Sequence, residues 1–498
     1  MAQRKHDTMR RIARFARDRQ GNVLVITAFC LMIFIAIVGS GVDIATAYLA
    51  KERMQTACDA GALAARQIME GNVWTTAAEN EGKKYFNFDM KANSYGSTNI
   101  TFTLSQNASD KAEVIGKATA SIPTNIMKIF GATSIPLTVE CNAKRDLGNN
   151  DIMLVLDVTG SMLQNASGGG GTKISRLRTA AINLFKALAD DNNSVTRFGI
   201  MPYSHTVNVA GSMANNDFLI NQSYLNQCSG RNCSPKYSAQ TIHIKYSSWG
   251  STSKTDAQNL TAFQTSGDGC IEERTSYGQG SSNGLSPILK DTVTQDDIDK
   301  RSTSSTDYNL QFGRYDPDVQ EGESQDGCPS PAMRLQEFAS ESDFQDAIDD
   351  TTARVTGGTY HDVGLIWGLR FLSGTGWFAA DNPDSIAGVP VNRHIVFMTD
   401  GMLDTGDTLY SADGVQKYQK RMETPTSLDE SHLDRFRAAC QLAKQQATVW
   451  VIALDVGSTD DIEPCATSSS HFYISDGSDL ATIFATIGQG IGNLRLTR

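Results

Sequence analysis

The chain has 498 residues, too many for one ordinary hydrophobic core, and its 40% apolar content suits a mostly globular protein of two or three domains. The net charge of −11 is divided sharply: Arg4, Lys5, Arg10, Arg11, Arg14, Arg17 and Arg19 outnumber Asp7 and Asp18, so the first 20 residues carry +5 and the remainder −16. An acidic bulk with so few basic clusters excludes nucleic acid as the expected partner, and the basic head points to an anionic membrane face.

Residues 23–42 contain no charge, a stretch long enough to cross a bilayer as one helix. Basic residues precede it, which predicts a cytoplasmic N-terminus and export of everything beyond about residue 45. A cleaved secretory signal is the competing reading. Such signals have an apolar core of roughly 7 to 15 residues and a small-residue cleavage site, whereas this stretch is longer and continues into a helical pattern. Residues 1–20 are read as a cytoplasmic basic tail and 21–45 as the membrane helix. The nine cysteines fit export: Cys30 falls in the span, leaving Cys58, Cys141, Cys228, Cys233, Cys270, Cys328, Cys440 and Cys465, an even number. No CxxC or Cys/His ligand spacing for zinc is present. Cys440 with Cys465 and Cys228 with Cys233 are pairings suggested by proximity alone.

From Asp43 the sequence is rich in Ala, Gln, Glu, Lys and Met without proline, which predicts a helical stalk over 46–88. Residues 21–67, with Asp43 directly after the apolar run and the series Leu-Ala-Lys-Glu-Arg-Met-Gln-Thr-Ala-Cys-Asp-Ala at 49–60, resemble the N-terminal segment of TadG-like proteins. Those proteins belong to the Tad (Flp, tight adherence) pilus-assembly machinery of bacteria, and the resemblance implies an inner-membrane protein of that system. Gly21 ahead of an apolar helix is also a prepilin pattern. Prepilins carry Glu at the fifth position after the cleaved Gly, and Ile26 stands there, which counts against processing and against a subunit role.

Over 89–146 the period changes. Residues 100–104, 112–122 and 134–141 alternate apolar and polar side chains as half-buried strands do, with a short helix near 125–130, so a small β-rich module is expected.

Residues 152–156, Ile-Met-Leu-Val-Leu, then read as a strand buried on both faces. It ends in Asp157, Thr159 and Ser161, three oxygen-bearing side chains at alternate positions. Ile174, Leu177, Ala181, Leu184 and Leu188 follow at helical spacing, 195–203 is a second strand, 394–398 a third and 448–454 a fourth, with helices near 364–372, 433–446 and 479–491. Strands alternating with helices predict an α/β fold with a doubly wound, mostly parallel, Rossmann-like sheet over 147–498. Residues 209–340, dense in Ser, Gly, Asn, Asp and Thr and holding four cysteines, break that order. They are read as a disulfide-tied insertion beside the sheet, or as a partly disordered decoration.

The pattern at 151–162 resembles the opening strand and metal-ion-dependent adhesion site of von Willebrand factor type A domains, whose usual Asp-x-Ser-x-Ser has Thr159 in place of the first Ser and so keeps the hydroxyl. The resemblance extends to Thr-Gly-Gly-Thr at 356–359 and Thr399-Asp400-Gly401. It implies that Thr159, Ser161 and Thr359 supply hydroxyls to a metal while Asp157 and Asp400 hold coordinated waters or bind directly. Two carboxylates and three hydroxyls suit a hard cation, Mg²⁺ or else Mn²⁺ or Ca²⁺, and leave room for an outside ligand such as an acidic side chain of a partner protein.

Other patterns carry less. Asp404-Thr405-Gly406 spells the aspartic-protease triplet, but no second copy occurs. Gly168–Gly171 before Thr172-Lys173 lacks the Gly-Lys-Ser/Thr ending of a phosphate loop. Asp316, Asp318, Glu321 and Glu323 could clip calcium, though a solvated acidic loop is the simpler reading. His205 and His361 have no nucleophile in a recognisable elbow. The expected protein is a non-enzymatic, single-pass inner-membrane component that assembles or anchors a Tad-type pilus, its head periplasmic and bound to another assembly component or pilin. The rival readings are an envelope adhesin or sensor unrelated to pili, and a chelatase-type accessory subunit, whose relatives work in the cytoplasm.

Overall fold

The computed structural model describes residues 20–497 apart from 70–72, 109–110, 112, 146–147, 189–193, 228–236, 281–284, 321–326, 423–426 and 492–493. The chain forms two compact units, Met1–Asp146 with Leu494–Arg498, and Leu147–Asn493. It is mixed α/β, with an apolar N-terminal helix and a largely parallel sheet.

In the first unit α1 (Gln20–Ile68) is one unbroken helix, and its apolar stretch is long enough to cross a membrane. Its outer surface up to Val42 is exposed and apolar, while from Ala47 onward Ala50, Met54, Ala57, Ala62 and Ala65 recur at helical spacing and are buried. They pack against α2 (Thr76–Asp89) and a sheet of β1 (Thr98–Gln106), β2 (Glu113–Pro123) and β3 (Ser134–Arg145), joined by Phe86, Val114, Ala118 and Val139. A Cβ on Gly82 of α2 would lie 2.7 Å from the Gly61 carbonyl of α1, so these glycines permit the close crossing. The expected free stalk is therefore corrected: the helix beyond the span is the core of the same module as the sheet, and the Cys58–Cys141 disulfide joins the two. The expected limit at 498 also moves. The last strand, Leu494–Thr497, pairs antiparallel with β3 and completes the first unit's sheet.

The second unit opens with β4 (Asn149–Asp157), every residue of which is buried. Then come α3 (Lys173–Leu188), β5 (Thr196–Tyr203), β6 (Met333–Gln336), α4 (Glu341–Thr351), α5 (His361–Leu372), β7 (Val389–Thr399), α6 (Leu428–Gln446), β8 (Thr448–Leu454), β9 (Phe472–Ser475) and α7 (Leu480–Ile491). Their sheet runs β6-β5-β4-β7-β8-β9, parallel except for the antiparallel edge strand β6. Successive residues of β4 point to opposite faces, and both faces are covered. Met153 and Val155 pack with Trp367, Phe397 and Phe436, beneath α5 and α6, whereas Ile152, Leu154 and Leu156 pack with Leu177, Phe344 and Phe484, beneath α3, α4 and α7. Two covered faces are why β4 reads as an uninterrupted apolar run.

The described residues of 209–340 are folded. They include an antiparallel hairpin of Asn221–Gln227 with Tyr237–His243, the helix Asp256–Thr265 and the Cys270–Cys328 disulfide, and Phe218, Phe263 and Phe312 enter the core under α5. Their end is not insertion at all, because β6 belongs to the main sheet. Cys440–Cys465 is bonded as proximity suggested, and Cys228 with Cys233 lies outside the described residues.

Candidate functional site

The chain places β5 on one side of β4 and β7 on the other, so the carboxyl ends of β4 and β7 lie side by side. In open α/β sheets that is where ligands collect. Asp157 ends β4, and Thr399 ends β7 with Asp400 next in the chain. Asp157 is fully buried; its Oδ1 accepts from the Thr159 N–H at 2.8 Å and its Oδ2 from the Thr399 hydroxyl at 2.8 Å. The Thr159 and Ser161 hydroxyls are 3.0 Å apart, and Ser161 donates to Asp400 Oδ1 at 2.7 Å. Four of the five residues singled out from the sequence thus form one hydrogen-bonded cluster.

The loop that carries Thr359 is tied to the cluster's segment by the backbone of its neighbours. In the loop 356–359 the Thr356 N–H donates to the Val158 carbonyl at 2.8 Å, and the Gly357 carbonyl accepts from the Gly160 N–H at 3.2 Å. Gly357 has φ +79, and a Cβ there would sit 1.9 Å from His205 Nδ1, so this turn requires glycine. Thr359 itself is buried, its backbone paired in both directions with Asp404 at 3.1 Å, and its hydroxyl lies beside Gly401. Asp404 of the protease-like triplet is therefore a backbone brace for this loop.

Sequence reasoning missed Lys173, the first residue of α3. Its Nζ lies 2.9 Å from Asp400 Oδ2, and both side chains are nearly inaccessible to water. A lysine in the first turn of an amphipathic helix, on the buried side with Ile174 and Leu177, was the available signal. Burial, and after it the charge of Asp400, pushes the Asp157 carboxyl up to about 7. Tyr203, also buried and facing Asp157, has its phenol raised well above the usual range, first by burial.

The donors here are all oxygen, with no imidazole or thiolate among them, which is the chemistry of hard cations. Lys173 balances one of the two carboxylates and leaves the other without a counter-charge, so the residues fit a divalent cation held by Asp157, Thr159, Ser161, Thr359 and Asp400. The cluster meets solvent at Gly160–Ser161 and Gly401–Met402, with Leu163 and Met402 as exposed apolar side chains on the rim.

A second buried cluster lies between α5 and α6. His432 Nδ1 is 3.0 Å from Asp362 Oδ1, its Nε2 is 3.4 Å from Asp413, and Arg435 donates to Asp362 Oδ2 at 3.0 Å. Burial alone would lower the imidazole, but the charge of Asp362 and its hydrogen bond outweigh it and raise His432. Two cations facing two carboxylates make this an internal ion network. His205 and His361 differ: burial drives them to about 3 and about 4, and each is hydrogen-bonded to a tyrosine, Tyr315 and Tyr203 respectively. Asp316 of the acidic loop is held by Ser248 and raised by burial, while Glu321 and Glu323 lie outside the described residues.

Residues 21–67 match the family model of putative Flp pilus-assembly TadE/G-like proteins. No curated protein matches the chain. Among solved structures, the pilus adhesin SpaC from Lactobacillus rhamnosus GG aligns at 11% identity over 79% of this chain and 34% of its own, with a TM-score of 0.35. The pilus adhesin RrgA from Streptococcus pneumoniae aligns at 8% identity over 80% and 49%, with a TM-score of 0.34. The vWF domain of the pilus tip protein Mfa5 from Porphyromonas gingivalis aligns at 13% identity over 69% and 95%, with a TM-score of 0.27. This chain spans about a third of the length of the SpaC chain.

Proposed function

We propose that the protein is a membrane-anchored component of a Tad/Flp pilus-assembly system whose second unit, a doubly wound von Willebrand factor type A domain, binds a partner protein through a divalent cation. The pilus part is carried by the match of residues 21–67 to the TadE/G-like family. The binding part is supported by the Asp157, Thr159, Ser161 and Asp400 cluster with Thr359 beside it, oxygen donors only, at the solvent edge of two parallel strands. Neutral hydroxyls leave a bound Mg²⁺, Mn²⁺ or Ca²⁺ strongly electropositive, so it attracts an acidic side chain of the partner, another assembly component or pilin. That is adhesion without catalysis.

The anchor lies in the bacterial inner membrane with its basic N-terminus cytoplasmic and the rest periplasmic. Three disulfides support that orientation, since they persist in oxidising compartments. Deletion followed by electron microscopy of the cell surface tests the assembly role. Loss of pili is expected, and normal piliation overturns it. In-cell crosslinking of the wild type and of Asp157→Ala tests the site: a crosslinked partner lost in the variant is expected, and equal crosslinking refutes cation-dependent binding.

A further inference from the structure

The turn between β2 and β3, residues 124–133, is fastened to α1 at the end of its apolar stretch. The Asp43 carboxylate accepts three consecutive backbone N–H groups, from Asn125 at 2.9 Å and from Ile126 and Met127 at 2.8 Å each. One turn earlier on α1, a Cβ on Gly39 would come 2.5 Å from Ile126 Cγ2, so glycine is what admits the turn this close. Beyond the clamp the chain forms a short 3₁₀ turn, Met127–Phe130, and lies along the N-terminal, apolar side of Asp43. Met127, Phe130 and Ala132 face Phe29, Ile33 and Ile37 of α1 across an open groove of about 710 Å³. Phe29 to Asp43 covers about 20 Å of helix axis, more than half of a ~30 Å hydrocarbon core.

Ile129 and Phe130, at the tip, are 72% and 61% exposed. Paired apolar side chains standing free on a turn mark a contact surface, and here that surface is continuous with the exposed face of the helix. From Ser121 to Val139 the only charged residue is Lys128, which is exposed beside them. A long basic side chain next to apolar ones suits the headgroup boundary, where it reaches phosphate while its stem stays in hydrocarbon.

We propose that this turn enters the same bilayer that α1 crosses, seating Ile129 and Phe130 in the acyl region, Lys128 at the headgroups and lipid chains in the groove. The partner is the lipid itself, and the first unit is thereby held at the membrane surface by two elements. The inference rests on α1 being a membrane helix, and the test separates the two claims.

The full chain is reconstituted in vesicles of phosphatidylglycerol and bromine-labelled phosphatidylcholine, with an added tryptophan in Phe130→Trp, Ile129→Trp, Phe34→Trp in the span, or Phe88→Trp on α2. Phe88 is 75% exposed and adjoins Asp89, whose carbonyl accepts from Arg53, about 15 Å of helix axis beyond Asp43. The emission added at 129, 130 and 34 is expected to be quenched several-fold by the brominated lipid and spared by aqueous iodide, with the reverse at 88. Quenching at 34 with iodide access at 129 and 130 refutes the turn's insertion alone. Protection at 129 and 130 from both quenchers means that protein covers the turn and also refutes it. Absence of lipid quenching at 34 removes the anchor.

Discussion

Replacing Asp157 by Asn tests whether the cluster is poised for a cation. Asp157 and Asn are nearly isosteric, and the amide oxygen can still accept from the Thr159 N–H. The Thr399 hydroxyl, which already accepts from Gly401 at 3.2 Å, must then turn away from its carboxylate partner. Losing that bond costs about 1 kcal/mol. Against it, the fold raises the carboxyl from 3.8 to about 7, and at ~1.4 kcal/mol per unit, ionising Asp157 in the fold costs on the order of 4 kcal/mol. The sign follows from proton uptake: between these two values the folded chain holds a proton that the unfolded chain has lost, so stability falls as pH rises through that window and is level above it. In EDTA at about pH 8, Asp157→Asn is therefore expected to be more stable than wild type by roughly 3 kcal/mol, an advantage that disappears near pH 4. Mg²⁺ at about a hundred times its Kd stabilises the wild type by ~3 kcal/mol and the variant hardly at all. Urea unfolding followed by tryptophan emission of residues 147–493 measures both effects. A variant less stable than wild type at the higher pH, or stabilised equally by Mg²⁺, refutes the reasoning.

Lys173→Met leaves Asp400 buried without its ammonium partner and is expected to cost about 3 kcal/mol in EDTA, recovered in large part by Mg²⁺, as seen in thermal unfolding with and without the ion. His432→Gln removes a cation from between Asp362 and Asp413 and is expected to cost about 3 kcal/mol near pH 6, measured by denaturant unfolding. Because the folded imidazole is raised above 6.5, its contribution is complete below that value and is lost as pH climbs through the folded value. Asp362 is lowered below 3.8 because the charge and hydrogen bond of His432 outweigh burial, so its contribution is lost on acidification, and the variant's deficit is expected to shrink at both extremes. Replacing Cys270 and Cys328 by Ser releases a cross-link spanning 58 residues, for which loop entropy gives about 4 kcal/mol, read as a lowered urea midpoint.

The parallel strands were legible because strands covered on both faces leave uninterrupted apolar runs, as at Ile152–Leu156 and Val449–Leu454. That Asp157, Thr159 and Ser161 would gather at a strand end was legible because a buried strand ending in three oxygen-bearing side chains has no packing reason to do so. Lys173 escaped because its charge matched the polar pattern of an amphipathic helix, and only the fold turns it toward Asp400. The stalk was misjudged for a related reason. Alanines at 47, 50, 57, 62 and 65 look like generic helix formers, and their burial depends on strands about 50 to 90 residues later in the chain that sequence periodicity cannot pair with them. The closing strand at Leu494–Thr497 gave no signal, since four residues cannot display a period.

The Cys58–Cys141 bond acquires a mechanical meaning if the second unit grips a fibre. Tension entering the first unit at Arg145 meets Cys141 four residues on and crosses there to α1, so most of the chain between the bonded cysteines, which are 83 positions apart, is spared the load. The remaining noncovalent route, through the last strand, is antiparallel to β3 and leaves the sheet at the same end, Leu494 opposite Arg145. Both connections to the second unit therefore leave the first unit's sheet at one end, and only the few β3 residues between Arg145 and Cys141 lie ahead of the bond. The membrane helix is thus hitched to the traction line by a sulfur–sulfur bond, with the sheet as ballast at its side.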